Sequence, residues 1–357
     1  MNLDPSPFTG VALHAIGGLA AASFYLPFRR VRSWPWENAW IVNGFFSWIL
    51  APLLAAFLLA PGAWSVLAAS PPEALFFTWL FGFLWGIGGL MFGLSMRYLG
   101  IALGYAVALG LCAFFGTLIP PLFTGEIVEV ATSRGGQLTL AGIFVCLLGI
   151  AMSGKAGLNK ERELGDEAKQ ATVHEFNFTK GLAVALGAGI MSACMAFAYA
   201  AGKPIAAVAV EQEISPIWQN LPVLIVIMFG GFCLNLLWCG ALILRKRSLG
   251  VYFVRPALPA DGSQPPRLSA NYLWCAIAGV VWYLQFFFYG MGTTLMGKFE
   301  FSSWTLHMAA IIIFSTIWGI LLKEWRGTSK ATHRWIAFGL GTLIISTVII
   351  GWGNSMG

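Results

Sequence analysis

Charge is scarce in this sequence. Of 357 residues, 10% are Asp, Glu, Lys or Arg, against about 25% in an ordinary soluble chain. That scarcity excludes a solvated exterior, and with it a soluble enzyme; the net charge of +6 is no nucleic-acid signature. Enzymatic motifs are missing as well. There is no GxSxG, HExxH or P-loop, and "GIGG" (86–89) lacks a preceding strand and reads as helix packing. The six cysteines (Cys112, Cys146, Cys194, Cys233, Cys239 and Cys275) lie in apolar segments without CxxC or CxH spacing. They read as small buried hydrophobes rather than a disulfide framework or a zinc site, so neither metal nor cofactor is expected. The opening "MNLDPSPFTG" has no Lys or Arg, and the basic "FRRVR" follows the first apolar run, the reverse order of a cleavable signal peptide.

Apolar and aromatic residues are what the chain has in abundance. It is 58% hydrophobic and 15% aromatic, with 16 Trp and a mean hydropathy of +0.76. Ten runs reach the roughly 20 residues that cross a bilayer: 8–28, 39–60, 74–96, 101–123, 137–154, 181–201, 218–244, 270–292, 302–322 and 335–354. The fold class is therefore an all-α membrane protein of ten transmembrane helices. Basic residues sort the links by side. Arg29, Arg30 and Arg32 fill the first link, Arg97 the third, Lys155, Lys160, Arg162, Lys169 and Lys180 the fifth. Arg245, Lys246, Arg247, Arg255 and Arg267 fill the seventh, and Lys323, Arg326, Lys330 and Arg334 the ninth. Only Arg134, Lys203 and Lys298 lie elsewhere. The positive-inside rule then puts odd links in the cytoplasm and both termini outside.

A repeat is visible at an offset of 197. "LWGIGGLMFGLSMRYLG" (84–100) aligns with "VWYLQFFFYGMGTTLMG" (281–297), and the same offset pairs Gly142 with Gly339 and Gly154 with Gly351. Chance matches among Gly and aromatic residues are the competing explanation. Five spans per copy is an odd number, so the second copy is inverted, a transporter architecture with its site near midplane. This predicts a 5+5 inverted repeat, with halves 1–156 and 181–357 joined by a cytoplasmic link, 157–180. Within that link "KERELGDEAK" (160–169) is a solvated mixed-charge segment.

Ionisable and amide side chains in lipid are costly, about 2.5–3.5 kcal/mol for a charge at midspan on insertion scales, so each needs a partner or a cavity. His14 and His307 are the histidines inside spans, and each reads either as a helix-to-helix hydrogen-bonding group or as a proton site. Asn43 reads as interhelical glue, and Asn235 as glue or cavity lining. Gln285 lies between Trp282 and Tyr289 at helical spacing, an amide flanked by rings that suits a polyhydroxylated ring. Glu300, Trp304 and His307 share a face if residues 299–308 are helical. Burial and a nearby carboxylate act on an imidazole's proton affinity in opposite directions, which suits a proton site near neutral pH. Glu300 equally reads as an interfacial carboxylate; Glu37, Glu73, Glu126 and Glu129 read as loop or interface residues.

The stretches "SFYLPFRRVRSWPWE" (23–37), "WGIGGLMFGLSMRYLG" (85–100), "WYLQFFFYG" (282–290), "SWTLHM" (303–308) and "LLKEW" (321–325) closely resemble the L-rhamnose–proton symporter family of the drug/metabolite transporter superfamily. The resemblance runs from about residue 10 to the end. It implies ten helices, periplasmic termini and uptake of a sugar with a proton across a bacterial inner membrane. His14, Gln285 and His307 fall in stretches that look like the family pattern. Two positions depart from it: Gly89, where an Asn commonly follows "WGIG", which removes a hydroxyl partner, and Glu300, where the acid is often Asp. The expected sugar contacts are Gln285, Trp282, Tyr289, Trp304 and Asn235, and the expected proton-coupling residues are His307, His14 and Glu300. The partners are a small 6-deoxyhexose such as L-rhamnose, a proton and the bilayer, with no nucleic acid. The competing classes are a metabolite exporter of the same superfamily and a non-transporting membrane receptor.

Overall fold

The computed structural model describes residues 6–99, 101–163, 178–254 and 267–356. Among them no strand occurs, and ten long helices follow one another: α1 (Pro7–Ser23), α2 (Trp36–Leu59), α3 (Pro72–Leu99), α4 (Ile101–Thr124), α5 (Arg134–Glu163), α6 (Phe178–Ala201), α7 (Asn220–Lys246), α8 (Leu268–Thr293), α9 (Ser303–Leu321) and α10 (Lys330–Ser355). Helix is forced on such segments, because lipid offers the backbone no hydrogen-bond partner. Among the described residues nine helices are long and apolar enough to cross a membrane; the fourth expected span is represented by a shorter apolar stretch, Val107–Leu122, inside α4. α2 is not uniform. Its middle, Phe45–Leu50, is a π-turn, a geometry that inserts an extra residue and turns the following side chains.

The molecule is arranged inside-out relative to a soluble protein. Large apolar side chains coat the exterior, with Phe57 78% and Trp352 60% exposed. His14, Asn43, Asn235, Gln285 and His307 are buried. Exterior apolar groups suit acyl chains, whereas a polar group facing them would be left without a partner.

Helix pairs approach closely where glycine permits. α1 packs on α8 and α9, α6 on α3 and α4, α7 on α2 and α3, and α5 on α10. At Gly18 of α1 an added Cβ would lie 2.4 Å from the Ala310 methyl of α9, so no larger residue fits that crossing. One helix runs far beyond its expected span. α5 continues nine residues past 154 to Glu163, because polar, charged helix formers extend the helix after the apolar run has ended. Its last residue accepts hydrogen bonds from the Ser329 amide, the Ser329 hydroxyl and the Thr332 hydroxyl at the start of α10, at 2.6, 2.6 and 2.7 Å. The rest of the mixed-charge link lies outside the described residues.

Residues 299–308 do not form one helix. Gly297–Ser302 is a 3-10 turn and α9 begins at Ser303. With three residues per turn rather than 3.6, Glu300 rotates off the stripe shared by Trp304 and His307.

Candidate functional site

The two intramembrane histidines share one neighbour. His14 of α1 and His307 of α9 are fully buried. No side chain of the protein bonds their ring nitrogens, and His307 sits against the His14 backbone. Both rings face Tyr289 of α8, at centroid distances of 5.2 and 5.4 Å. Trp304 meets Tyr289 edge-on at 5.6 Å and His307 at 6.2 Å; Tyr199 of α6 meets Tyr289 at 4.9 Å. Tyr289 is thus the hub of a cage drawn from α1, α6, α8 and α9.

Glycines hold the imidazoles in place. An added Cβ on Gly292 would lie 2.7–2.9 Å from His14 ring atoms, so His14 rests on bare α8 backbone. On Gly17 it would lie 2.8 Å from the Gln285 carbonyl and 3.3 Å from the His307 ring. Two other cage members have their polar ends in use. Trp304 Nε1 donates to the Cys112 carbonyl at 3.1 Å, and the Tyr199 hydroxyl to the Phe286 carbonyl at 3.1 Å. Buried polar groups are nearly always hydrogen-bonded. Two buried imidazoles with no side-chain hydrogen-bond partner therefore stand out in this cage.

The remaining expected residues are dispersed. Glu300 is 40% exposed on its side chain and pairs with Lys203. Gln285 is buried, but its Nε2 donates to the Trp282 carbonyl of its own helix at 3.0 Å. Asn235 accepts from Trp40 Nε1 at 3.0 Å and donates to the Gly231 carbonyl at 2.9 Å, linking α7 to α2. Trp282 lies two turns along α8 from Tyr289, against Phe24 at 4.3 Å. Three features escaped the sequence reading. Asn43, read as glue, has neither amide atom bonded to the protein. Tyr199 carried no signal that distinguishes it from any other ring in an apolar run. Glu37, read as a loop or interface residue, is 3% exposed and pairs with Lys246 at 2.8 Å. The signal for that pair was the acid at the start of α2 and the base at the end of α7, each favoured by its helix dipole.

Beside them, Asn38 and Ser248 exchange hydrogen bonds at 3.2 and 2.8 Å, and Asn271 brackets the Arg32 backbone at 2.9 and 3.2 Å. The first and seventh basic links are thereby tied together at one end of the bundle.

Residues 5–356 match the profile of the L-rhamnose-proton symport protein (RhaT) family. The chain belongs to that family. Among its relatives, the L-rhamnose-proton symporter of Cronobacter sakazakii is 37% identical over 346 residues, covering 96% of this chain and 97% of the relative. Those of Yersinia pestis and Yersinia pseudotuberculosis are 38% identical over the same shares. Membership makes the protein a multi-pass membrane protein of a transporter family, in keeping with its apolar helices.

Proposed function

We propose that this protein takes up L-rhamnose, or a related 6-deoxyhexose, together with a proton across a bacterial inner membrane, from a periplasm that also holds both termini. The observation that carries the reading is the pair of buried imidazoles, bonded to no side chain and facing one tyrosine between α1, α8 and α9. Two imidazoles so close hold one proton more readily than two, because like charges in a dry setting repel. One proton then enters with one sugar. The inward drive is about 1.4 kcal/mol per pH unit plus about 2.3 kcal/mol per 100 mV for one charge.

Movement comes from two oppositely oriented halves, 1–156 and 181–357, rocking about the shared site. Packing supports that division. Shifting every helix number by five converts α3 on α6 into α8 on α1, α3 on α7 into α8 on α2, and α4 on α6 into α9 on α1. α5 on α10 maps onto itself. There an added Cβ on Gly142 would lie 2.6 Å from Ile350, and one on Gly339 2.5 Å from Ser153; the offset of 197 turns one approach into the other. Tyr289, Trp304, Trp282, Gln285 and Asn235 form the sugar side of the path, His307 and His14 the proton side. Glu300, paired with Lys203, acts at the outer mouth.

The test is uptake of labelled L-rhamnose by proteoliposomes of defined orientation. An imposed pH gradient, acid on the periplasmic face, is expected to concentrate the sugar, and collapse of the gradient to stop it. Net efflux under the same gradient would favour an exporter; binding without flux would favour a receptor.

A further inference from the structure

Five rings close a circuit deeper along α8 than the histidine cage. Trp40 meets Trp48 at 5.9 Å, Trp48 meets Trp85 at 6.3 Å, Trp85 meets Phe286 at 5.3 Å, Phe286 meets Trp282 at 6.2 Å, and Trp282 returns to Trp40 at 6.3 Å. α2, α3 and α8 supply the rings. α2 brings Trp40, Asn43, Ser47 and Trp48 to one face, its π-turn at Phe45–Leu50 setting where Ser47 and Trp48 fall. Asn43 lies against Gly279, one turn from Trp282 on α8; an added Cβ there would sit 2.5 Å from the Asn43 carbonyl oxygen.

Trp40 Nε1 is held by Asn235, but other polar atoms at this circuit are idle. Asn43 Oδ1 and Nδ2, Ser47 Oγ, Trp48 Nε1 and Trp282 Nε1 are buried and have no partner within the protein. A packing core does not leave two amide atoms, a hydroxyl and two indole N–H groups unmet in one place, since each costs about 1–3 kcal/mol to bury unpaired. No Lys, Arg, Asp, Glu or His belongs to the circuit, and the nearest acid along α2, Glu37, is held by Lys246.

We infer that this circuit is the sugar subsite: a neutral pyranose lies between the rings, with Asn43 and Ser47 of α2 and the indole N–H groups of Trp48 and Trp282 taking its hydroxyls. Rings stack on the sugar's C–H face, while the amide both donates and accepts. The inference rests on the uptake reading above and divides its site in two. It moves the bound ring from Tyr289 and Trp304, placed on the sugar side above, to the circuit, about 10 Å away over the seven residues from Tyr289 to Trp282 along α8. Phe286, a member of the circuit and 6.5 Å from His307, is the contact between the two parts.

The test is calorimetric L-rhamnose binding to the purified full chain in detergent, for wild type, Asn43→Leu and Ser47→Ala. Thermal unfolding without sugar is measured alongside. Both variants are expected to bind at least tenfold more weakly. Asn43→Leu is expected to unfold no earlier than wild type, because an apolar isostere removes unpaired polar atoms. Ser47→Ala should also bind L-rhamnose and its single-deoxy analogues alike at the one hydroxyl that Ser47 contacts. Wild-type affinity in both variants would overturn the subsite while leaving uptake standing. Competition by a sugar carboxylate as strong as by L-rhamnose would overturn the neutral-ring assignment. A wild type that binds no neutral sugar would overturn the uptake reading and the subsite together.

Discussion

Gly17 shows how closely the site is fitted. Its missing side chain leaves room for the Gln285 carbonyl on one side and the His307 ring on the other. Neither is the far end of a flexible chain, so Gly17→Ala must push α1 away from α8 and α9. The expected cost is about 1–3 kcal/mol, as for other overpacked cores, read as a lower Tm in detergent together with weakened transport. An unchanged Tm would mean that α1 is loosely held. Residues of this kind were partly legible beforehand. His14 and His307 stood out because an ionisable group in an apolar run needs a reason. Asn43 was misread because glue and site use the same amide; only its two idle atoms separate the roles. Tyr199 was invisible, since nothing in a sequence distinguishes a ring at a hub from one facing lipid.

At the scale of the element, hydropathy locates the lipid-crossing part of a helix and is silent on what lies beyond. The boundary at 154 marked where the apolar residues stop, but α5 runs on to Glu163 and reaches α10. Glu300 left its expected stripe for a related reason. The stripe assumed a helix that starts before 300, and Gly297, at φ 66, begins a 3-10 turn there instead. The α5–α10 tie makes a pH prediction. Hydrogen bonds from the Ser329 hydroxyl, the Ser329 amide and the Thr332 hydroxyl hold the Glu163 carboxyl below its ordinary value of 4.5. A carboxylate with a depressed folded-state pKa stabilises the fold above its unfolded-state value and loses that contribution as pH falls through the folded one. Wild type should therefore melt above Glu163→Ala at pH 7, with the gap narrowing in acid below the ordinary carboxylate range. A gap that is constant from pH 7 to pH 3 would mean that the charge of Glu163 contributes nothing.

On the scale of the whole molecule, the all-helical membrane class was plain from composition, and apolar runs located nine spans and a shorter apolar stretch at the tenth, whereas the site was not legible. Helices from both ends of the chain build it, and linear spacing cannot say that α1 and α9 touch. The arrangement places a polar interior between rigid helix pairs, with one tie at the Glu37–Lys246 end and another at Lys203–Glu300. In the proposed alternating access each tie opens in turn while the imidazoles keep hold of the proton. The most direct measurement compares two assays of His307→Ala in proteoliposomes: L-rhamnose counterflow with equal sugar chemical potential and no pH gradient, and uptake driven by external acid. Counterflow retained with acid-driven accumulation lost is the predicted result, since the sugar path would be intact and the proton uncoupled. Acid-driven accumulation equal to wild type would contradict a proton carried by the buried imidazole pair.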